Sequence, residues 1–259
     1  MSVTRPSIFI SGSAAGIGRA TAERFAREGY TVGIYDIDLD GANEAAKQIG
    51  EGAVAGHLDV TDPSSWSSAL AAFFAAAGDR LDVLVNNAGI MITGSFESID
   101  LQAQFREVDV NVKGTIAGCY AGFPYLKRTP KSRVINLCSA SAVYGQPDLA
   151  TYSATKFFVQ GLTEALQIEW HRYGIGAQAI WPLYVNTALV TGAKPVASMA
   201  TLGVRLTAED VANVIWETAS SKSRKTHRTV GRQTAVLKFA TKIVPRSVTR
   251  FFVAKLAGK

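Results

Sequence analysis

Six short runs rich in β-branched residues recur along the chain, each followed by a longer amphipathic or alanine-rich stretch. This alternation constrains the fold more than any other feature. The runs are Ile8 to Ser11, Thr31 to Tyr35, Val54 to Leu58, Val83 to Asn86, Arg133 to Cys138 and Ile175 to Trp181. They read as strands buried on both faces. The intervening stretches, near 17 to 28, 41 to 49, 63 to 78, 101 to 127, 151 to 173 and 208 to 220, read as helices. Such alternation predicts an α/β fold, a doubly wound parallel sheet with helices on both faces. A short run near Thr229 to Gly231 would bring the sheet to about seven strands. With 259 residues, 47% of them apolar, and no repeat or Pro/Ser-rich linker, the chain 1–259 is expected to form one domain.

The opening residues run straight into Ile8-Phe9-Ile10, too short an apolar stretch for a secretory signal. No run of apolar residues is long enough to span a bilayer, so a cytoplasmic protein is expected. Cys119 and Cys138 sit in apolar surroundings without metal-ligand or redox spacing, which points to buried structural thiols and to no metal site. The net charge of +6 is unevenly placed. Residues 218 to 259 hold 11 of the 27 Lys and Arg and none of the 21 Asp and Glu, leaving a body with 16 basic and 21 acidic residues. A basic excess confined to one tail, without interleaved aromatic stacking motifs, does not suggest a nucleic-acid partner.

In an open parallel sheet, ligands bind beyond the carboxyl ends of the strands. After the first strand comes Ser11-Gly12-Ser13-Ala14-Ala15-Gly16-Ile17-Gly18, which leads into a helix. Glycines without Cβ atoms let a pyrophosphate approach, and the helix N-terminus supplies unpaired N–H groups. The Gly-x3-Gly-x-Gly spacing differs from the better-known G-x-G-x-x-G, so position after a strand carries the inference that this is a Rossmann-like dinucleotide site. Eighteen residues past Gly18 the second strand ends at Asp36, where a carboxylate can accept from an adenosine ribose. A 2'-phosphate would meet like charge there, and Ser13, Ala14, Ala15, Ile37 and Asp38 offer no cation to bind it. NAD is therefore expected over NADP. Asp59-Val60 follows the third strand, placed for an adenine contact, and Asn86-Asn87-Ala88-Gly89 follows the fourth.

Tyr152 and Lys156 lie four apart on one expected helix and share a face. A phenol is a poor base at neutral pH, but an adjacent ammonium and a nicotinamide cation both favour its anion. Ser139, just after the fifth strand, is placed to hold a substrate oxygen by hydrogen bond. Asn111, with Gly114 close behind, is out of place by helix propensity and predicts a local distortion.

From residue 7 to about 220 the sequence resembles the short-chain dehydrogenase/reductase family, in its branch of single-domain enzymes. The resemblance rests on Ser11 to Gly18, Asn86-Asn87-Ala88-Gly89, Asn111, Ser139, Tyr152-Ser153-Ala154-Thr155-Lys156 and Trp181-Pro182 through Thr187. It implies a tetrad in which Tyr152 is the general acid/base and Ser139 orients the substrate oxygen. Lys156 would bind the nicotinamide ribose and lower the phenol pKa, and Asn111 would hold a water linking Lys156 to solvent. It also implies that Gly12, Ser13, Gly16, Ile17, Gly18, Asp36, Ile37, Asp59, Val60, Asn87, Ala88, Gly89, Val110, Tyr152, Lys156, Pro182, Val185 and Thr187 contact the cofactor. A homotetramer or homodimer built through the helices containing Asn111 and Tyr152 is implied as well. One departure stands out, because Pro182-Leu183 replaces the family's Pro-Gly. Leucine resists φ > 0, which predicts a reshaped loop there.

In the family the segment after the sixth strand is a substrate lid. Here residues 188 to 206 include Leu189, Val190, Val196, Met199, Leu202 and Val204, with only Lys194 and Arg205 charged. With Val143, Tyr144 and Tyr184 nearby, the expected substrate is a lipophilic secondary alcohol or ketone. The residues do not encode direction, so a carbonyl reductase of acyl, steroid or quinone-like substrates is the second reading. A non-catalytic dinucleotide sensor is the third, and the acid/base set argues against it. The basic extension, 218–259, reads at its end as two short amphipathic helices separated by Pro245, with Lys238, Lys242, Arg246, Arg250 and Lys255 facing away from the apolar side. The ordinary use of such a pair is an oligomer contact or an active-site flap. The other is peripheral contact with an anionic membrane.

Overall fold

The structure is a computed structural model that describes residues 5–223 and 225–258, apart from the side chain of Lys242. Seven parallel strands form one sheet in the order β3-β2-β1-β4-β5-β6-β7. They are β1 (Ser7–Ser11), β2 (Thr31–Asp36), β3 (Ala53–His57), β4 (Val83–Asn86), β5 (Arg133–Leu137), β6 (Gly176–Trp181) and β7 (His227–Thr229). The six stronger expectations each agree within a residue at either end. The seventh moves two residues toward the N-terminus, because Gly231 takes φ +76° and opens the next helix instead. Every residue of β1 and β4 is buried, as a strand covered on both faces must be, whereas edge strand β3 is only partly buried.

Helices α1 (Gly16–Ala26), α2 (Leu39–Ile49) and α3 (Pro63–Ala76) follow the first three strands. Aspartates begin several helices: Asp38 caps α2, Asp62 caps α3 with Pro63 in its first turn, and Asp100 caps α4 (Leu101–Val108). The expected helix 101 to 127 is one continuous run whose middle, Asp109–Lys113, winds as a π-helix around Asn111 before α5 (Gly114–Arg128) resumes. The distortion read from Asn111 is thus a π-bulge. Helix α6 (Ala150–Glu169) ends in a 3-10 turn over Trp170–Tyr173. Residues 188–206 contain the short α7 (Ala188–Thr191) and α8 (Ala197–Leu202). A capping box between Thr207 and Asp210 starts α9 (Ala208–Ser220), and α10 (Gly231–Ile243) and α11 (Arg246–Leu256) end the fold on either side of Pro245.

Two apolar layers hold the helices to the sheet. On one face Phe9, Tyr35, Trp66, Phe73 and Leu84 pack beneath α3 and α5. On the other Ile8, Ile10, Phe25, Ile34, Val211 and Ile215 pack beneath α1 and α9. Gly114, Gly118 and Gly122 recur every four residues on α5 and let that helix lie close to the sheet, against Val60, Asn86 with Trp66, and Leu84. Gly118→Ala would drive a methyl into the Asn86 side chain and to 2.8 Å from the Trp66 ring. A loss of about 1–3 kcal/mol is expected in chemical denaturation, from overpacking alone, while Gly161→Ala, which meets open space, should not destabilise.

Candidate active site

The order of strands reverses between β1 and β4, and their carboxyl ends open into a cleft of about 350 Å³. At its floor the glycine loop turns sharply. Gly12 sits at φ +66°, and a Cβ there would lie 2.7 Å from the backbone of Ala88. Unlike α2, α3, α4 and α9, helix α1 has no side-chain cap: Ala15 occupies that position, so its first N–H groups face the cleft without a side-chain acceptor. Asp36 accepts from Ala14 N–H at 2.9 Å and from Asp38 N–H at 3.1 Å, tying the end of β2 to the loop. Asn87 closes the other side, its amide donating to the carbonyls of Ser11 at 3.0 Å and Gly12 at 2.6 Å.

Most of the residues expected in the cofactor site line this cleft: Gly12, Gly16, Ile17, Asp36, Ile37, Asp59, Val60, Asn87, Ala88, Gly89, Val110, Tyr152, Lys156, Pro182, Val185 and Thr187. Ser13 and Gly18 stand behind the wall. The Ser13 hydroxyl is committed to the Ile10 carbonyl and the Tyr35 N–H, and a Cβ at Gly18 would collide with the Gly12 carbonyl. Both shape the loop and present no side chain to the cleft. Leu183 is not in the left-handed region, in keeping with leucine's resistance to φ > 0. It packs instead with Leu149, Tyr152, Tyr184 and Met199, and Pro182 keeps its backbone bond from Ala140 at 2.8 Å.

Ser139, Tyr152 and Lys156 converge beyond β5. Ser139 is extended at the start of a 3-10 turn, where its hydroxyl accepts from Ser141 N–H at 3.1 Å beside the Tyr152 phenol. Burial pushes the Tyr152 phenol well above its ordinary value, and the Ser139 hydrogen bond opposes that only in part. The expectation that a neighbouring ammonium would favour the phenolate meets a larger opposing effect here. Lys156 Nζ lies 5.5 Å from the Tyr152 ring centroid and donates to the Leu137 carbonyl at 2.9 Å. Burial in turn lowers the Lys156 pKa, and the charge of Glu107 counters it.

Asn111 is fully engaged with protein groups and does not itself line the cleft. Its carbonyl oxygen accepts from Ile90 N–H at 2.9 Å, and its amide donates to the Ile90 carbonyl and to the Thr155 hydroxyl. Gly89 lies between Asn111 and Lys156, its Cβ position 3.1 Å from the Asn111 oxygen and 3.8 Å from Lys156 Nζ. One turn before Asn111, the buried Glu107 accepts from Ile92 N–H at 2.8 Å. Gln104, one turn earlier again, accepts from Thr151. This buried polar stripe binds the loop after β4 to α6 through the residues preceding Tyr152 and Lys156. Sequence reasoning missed Glu107, together with Met91, Arg106 and Ser141 in the lining. Met91 was within reach of the strand-end rule, whereas Glu107 looks like any helix glutamate until its surroundings are known.

A family model for short chain dehydrogenases matches residues 6–196. The chain is 33% identical over 223 residues to trans-4-hydroxycyclohexanecarboxylate dehydrogenase of Sinomonas cyclohexanicum, covering 83% of this chain and 85% of that one. It is 32% identical over 214 residues to 3-alpha-(or 20-beta)-hydroxysteroid dehydrogenase of Mycobacterium tuberculosis, covering 83% and 82%. Its fold is similar to the crystal structure of 3-ketoacyl-(acyl-carrier-protein) reductase from Brucella melitensis complexed with NADH, with a TM-score of 0.80 at 29% identity, covering 88% of this chain and 98% of that one. The chain belongs to the short-chain dehydrogenase/reductase family of oxidoreductases.

Burial moves the Glu107 pKa from 4.5 to about 7, against the opposing pull of Ile92 N–H and Lys156. The folded state therefore holds this proton more tightly than the unfolded chain. The stability it contributes is complete below pH 4.5 and lost as pH rises through about 7. On the order of 3 kcal/mol is at stake. Glu107→Gln should flatten the decline in denaturation midpoint between about pH 5 and 8; a variant that declines as steeply as the parent would assign the ionisation elsewhere.

Proposed function

We propose that this protein is an NAD-dependent dehydrogenase/reductase that interconverts a lipophilic secondary alcohol and its ketone. The observation carrying this reading is the convergence of Ser139, Tyr152 and Lys156 on one cleft with the glycine loop and Asp36. The cleft fits a nicotinamide dinucleotide on its own features: a glycine loop that a Cβ at residue 12 would fill, and helix N–H groups left without a side-chain cap. Gly12, Gly16 and Ile17 would hold the pyrophosphate, Asp36 the adenosine ribose, Asp59 and Val60 the adenine. Lys156 would hold the nicotinamide ribose, and Val185 and Thr187 the carboxamide. When bound, that cofactor accepts or returns the hydride.

The chain's own task is the proton and the placing of the oxygen. Tyr152 Oη donates a proton to the carbonyl oxygen in reduction, or withdraws it from the hydroxyl in oxidation. Ser139 Oγ, beside the phenol, holds the same oxygen in place. With burial keeping Tyr152 protonated, positive charge from Lys156 and an oxidised nicotinamide is what draws the phenol toward its anion for the oxidative direction. Asn111, bonded to Ile90 and separated from Lys156 by Gly89, would serve the proton path from Lys156 outward. Met91, Leu183, Tyr184, Leu189 and Val190 give the substrate end its apolar walls, with residues 188–206 as the lid. The named relatives are dehydrogenases of trans-4-hydroxycyclohexanecarboxylate and of 3-alpha-(or 20-beta)-hydroxysteroids, which supports a secondary alcohol or ketone on a cyclic, largely apolar skeleton.

The choice of NAD rests on charge. Asp36, Asp38 and Asp40 cluster at the end of β2, and Arg19, on the adjoining helix, is committed to Glu23 and Gln48. We also infer a homodimer or homotetramer through the outer faces of α4, α5 and α6, where Phe105, Ile116, Tyr120, Phe157 and Ile168 stand exposed.

Tyr152→Phe should retain NADH binding by fluorescence titration and lose turnover by about a thousandfold; an active Phe variant would remove the acid/base assignment. For Asp36→Ala, the ratio of kcat/KM with NADP to that with NAD should rise about ten- to a hundredfold. A panel of cyclic and linear alcohols and ketones, followed at the nicotinamide absorbance, tests the substrate class. Tyr120→Lys with Ile168→Lys should lower the mass measured by light scattering, and an unchanged mass would move the subunit contact elsewhere.

A further inference from the structure

We propose that the C-terminal helix pair, α10 and α11, seats this protein on the surface of an anionic lipid bilayer. The pair lies beyond the residues matched by the family model, and nothing in the proposed chemistry requires it. Its side chains are arranged the wrong way round for a helix that only packs on its own domain. On α10 the side turned to the body carries Thr234, Leu237, Lys238 and Thr241, at helical spacing. Lys238 Nζ stands 3.8 Å from the Trp181 ring centroid, and the Thr234 hydroxyl is buried without a hydrogen-bond partner among the described residues. The sequence expectation had Lys238 facing away from the apolar side, and it does so by turning inward, where the Trp181 ring face attracts the ammonium. The Lys242 side chain lies outside the described residues.

The outward side of α10 carries Val236, Phe239 and Ile243, each 65 to 66% exposed. On α11 the exposed set is Val248, Phe251 and Phe252, the two rings 5.8 Å apart, while Thr249 is buried. Six large apolar side chains within 17 residues, three of them phenylalanine, stand exposed on these two successive helices, an arrangement that water does not favour.

Charge decides what covers it. Arg232, Arg246, Arg250 and Lys255 are exposed on the same two helices, and among the described residues none of them makes an ion pair. Residues 218 to 259 contain 11 basic residues and no acid, so the same face of a second copy would set like charge against like. A bilayer of anionic lipid answers both features. Phenylalanines settle at the headgroup boundary, and arginine and lysine stems reach out to the phosphates. The inner side of the pair packs on the lid. Gln233 donates to the Leu202 carbonyl at 3.2 Å, and Leu237, Val253 and Leu256 face Tyr144 and Leu202 across a small apolar crevice. A lipid surface under α10 and α11 would therefore adjoin the lid of a cleft with apolar walls.

Flotation of the full-length protein with vesicles tests this directly and needs no turnover. Vesicles of phosphatidylcholine with about 30 mol% phosphatidylglycerol should carry the protein, whereas phosphatidylcholine alone, or about 0.5 M salt, should weaken binding at least tenfold. The triple variant Phe239→Ser, Phe251→Ser, Phe252→Ser and the separate double variant Arg246→Gln, Arg250→Gln should each weaken it at least tenfold. Since the second leaves every apolar contact in place, misfolding of the first would not decide the matter. Wild-type protein that ignores anionic vesicles overturns the proposal, as do variants that bind like wild type. A triple variant whose mass falls by light scattering, from a parent that does not float, would assign the face to another copy of the chain.

Discussion

The meeting of the first and fourth strand ends is the contact on which the site depends. Ser11 and Asn87 knit them together: the Ser11 hydroxyl accepts from the backbone of Asn87 and Ala88, and the Asn87 amide returns to the carbonyls of Ser11 and Gly12. Parallel strands cannot be joined by tight turns, so β1 sends its chain one way to β2 and β4 leads the other way to β5. The gap left between the two departing connections is the cleft. Gly12 allows the two loops to approach to backbone distance, and any side chain at that position would push them apart.

A second constraint acts from above, through polar groups removed from water. Gln104, Glu107 and Asn111 lie on one face of a continuous helix and are all buried, so each must find a partner or forfeit the free energy of its lost hydration. Their partners are the loop after β4 and the start of α6. The same bonds that satisfy the stripe therefore fix where Tyr152 and Lys156 stand. The π-bulge is part of this fit, since an extra residue in the turn re-aims Asn111 at Ile90 and Thr155. Depth has an electrostatic consequence. It raises the phenol, lowers the ammonium and raises Glu107, so Tyr152, Lys156 and Glu107 are each held closer to neutrality than they would be in water.

What could be read from the sequence follows from how far each signal reaches. Strand positions were legible because β-branched runs bounded by turns are a local pattern, and the cleft residues were legible because a parallel sheet gathers its strand ends at one edge. Ser13 was read as facing the ligand, yet its hydroxyl turns inward to Ile10 and Tyr35, a choice that depends on β2 arriving beside the loop. At Leu183 the reluctance of leucine to take φ > 0 was legible, and the backbone there keeps negative φ, but the place its side chain finds among Tyr152, Tyr184 and Met199 depends on segments distant in sequence. Glu107 carried no local mark, because its character comes from burial under a loop 15 residues away in sequence.

The C-terminal pair shows the same limit from the other side. Its boundaries, broken at Pro245, and its basic composition were plain in the sequence, but which side of α10 meets the body was not. Hydrophobic periodicity assigns the apolar side of an amphipathic helix to the interior, on the assumption that the domain is the only apolar phase available. Here the interior side is built from two threonines, a leucine and a lysine drawn to an indole ring, and the phenylalanine lies outside. A helix in that orientation gives up burial it could have had, which a chain can sustain only where the packing beneath is satisfied by other means. The cation over Trp181 and the bond from Gln233 to Leu202 supply those means, and they leave the apolar side free to meet a second phase.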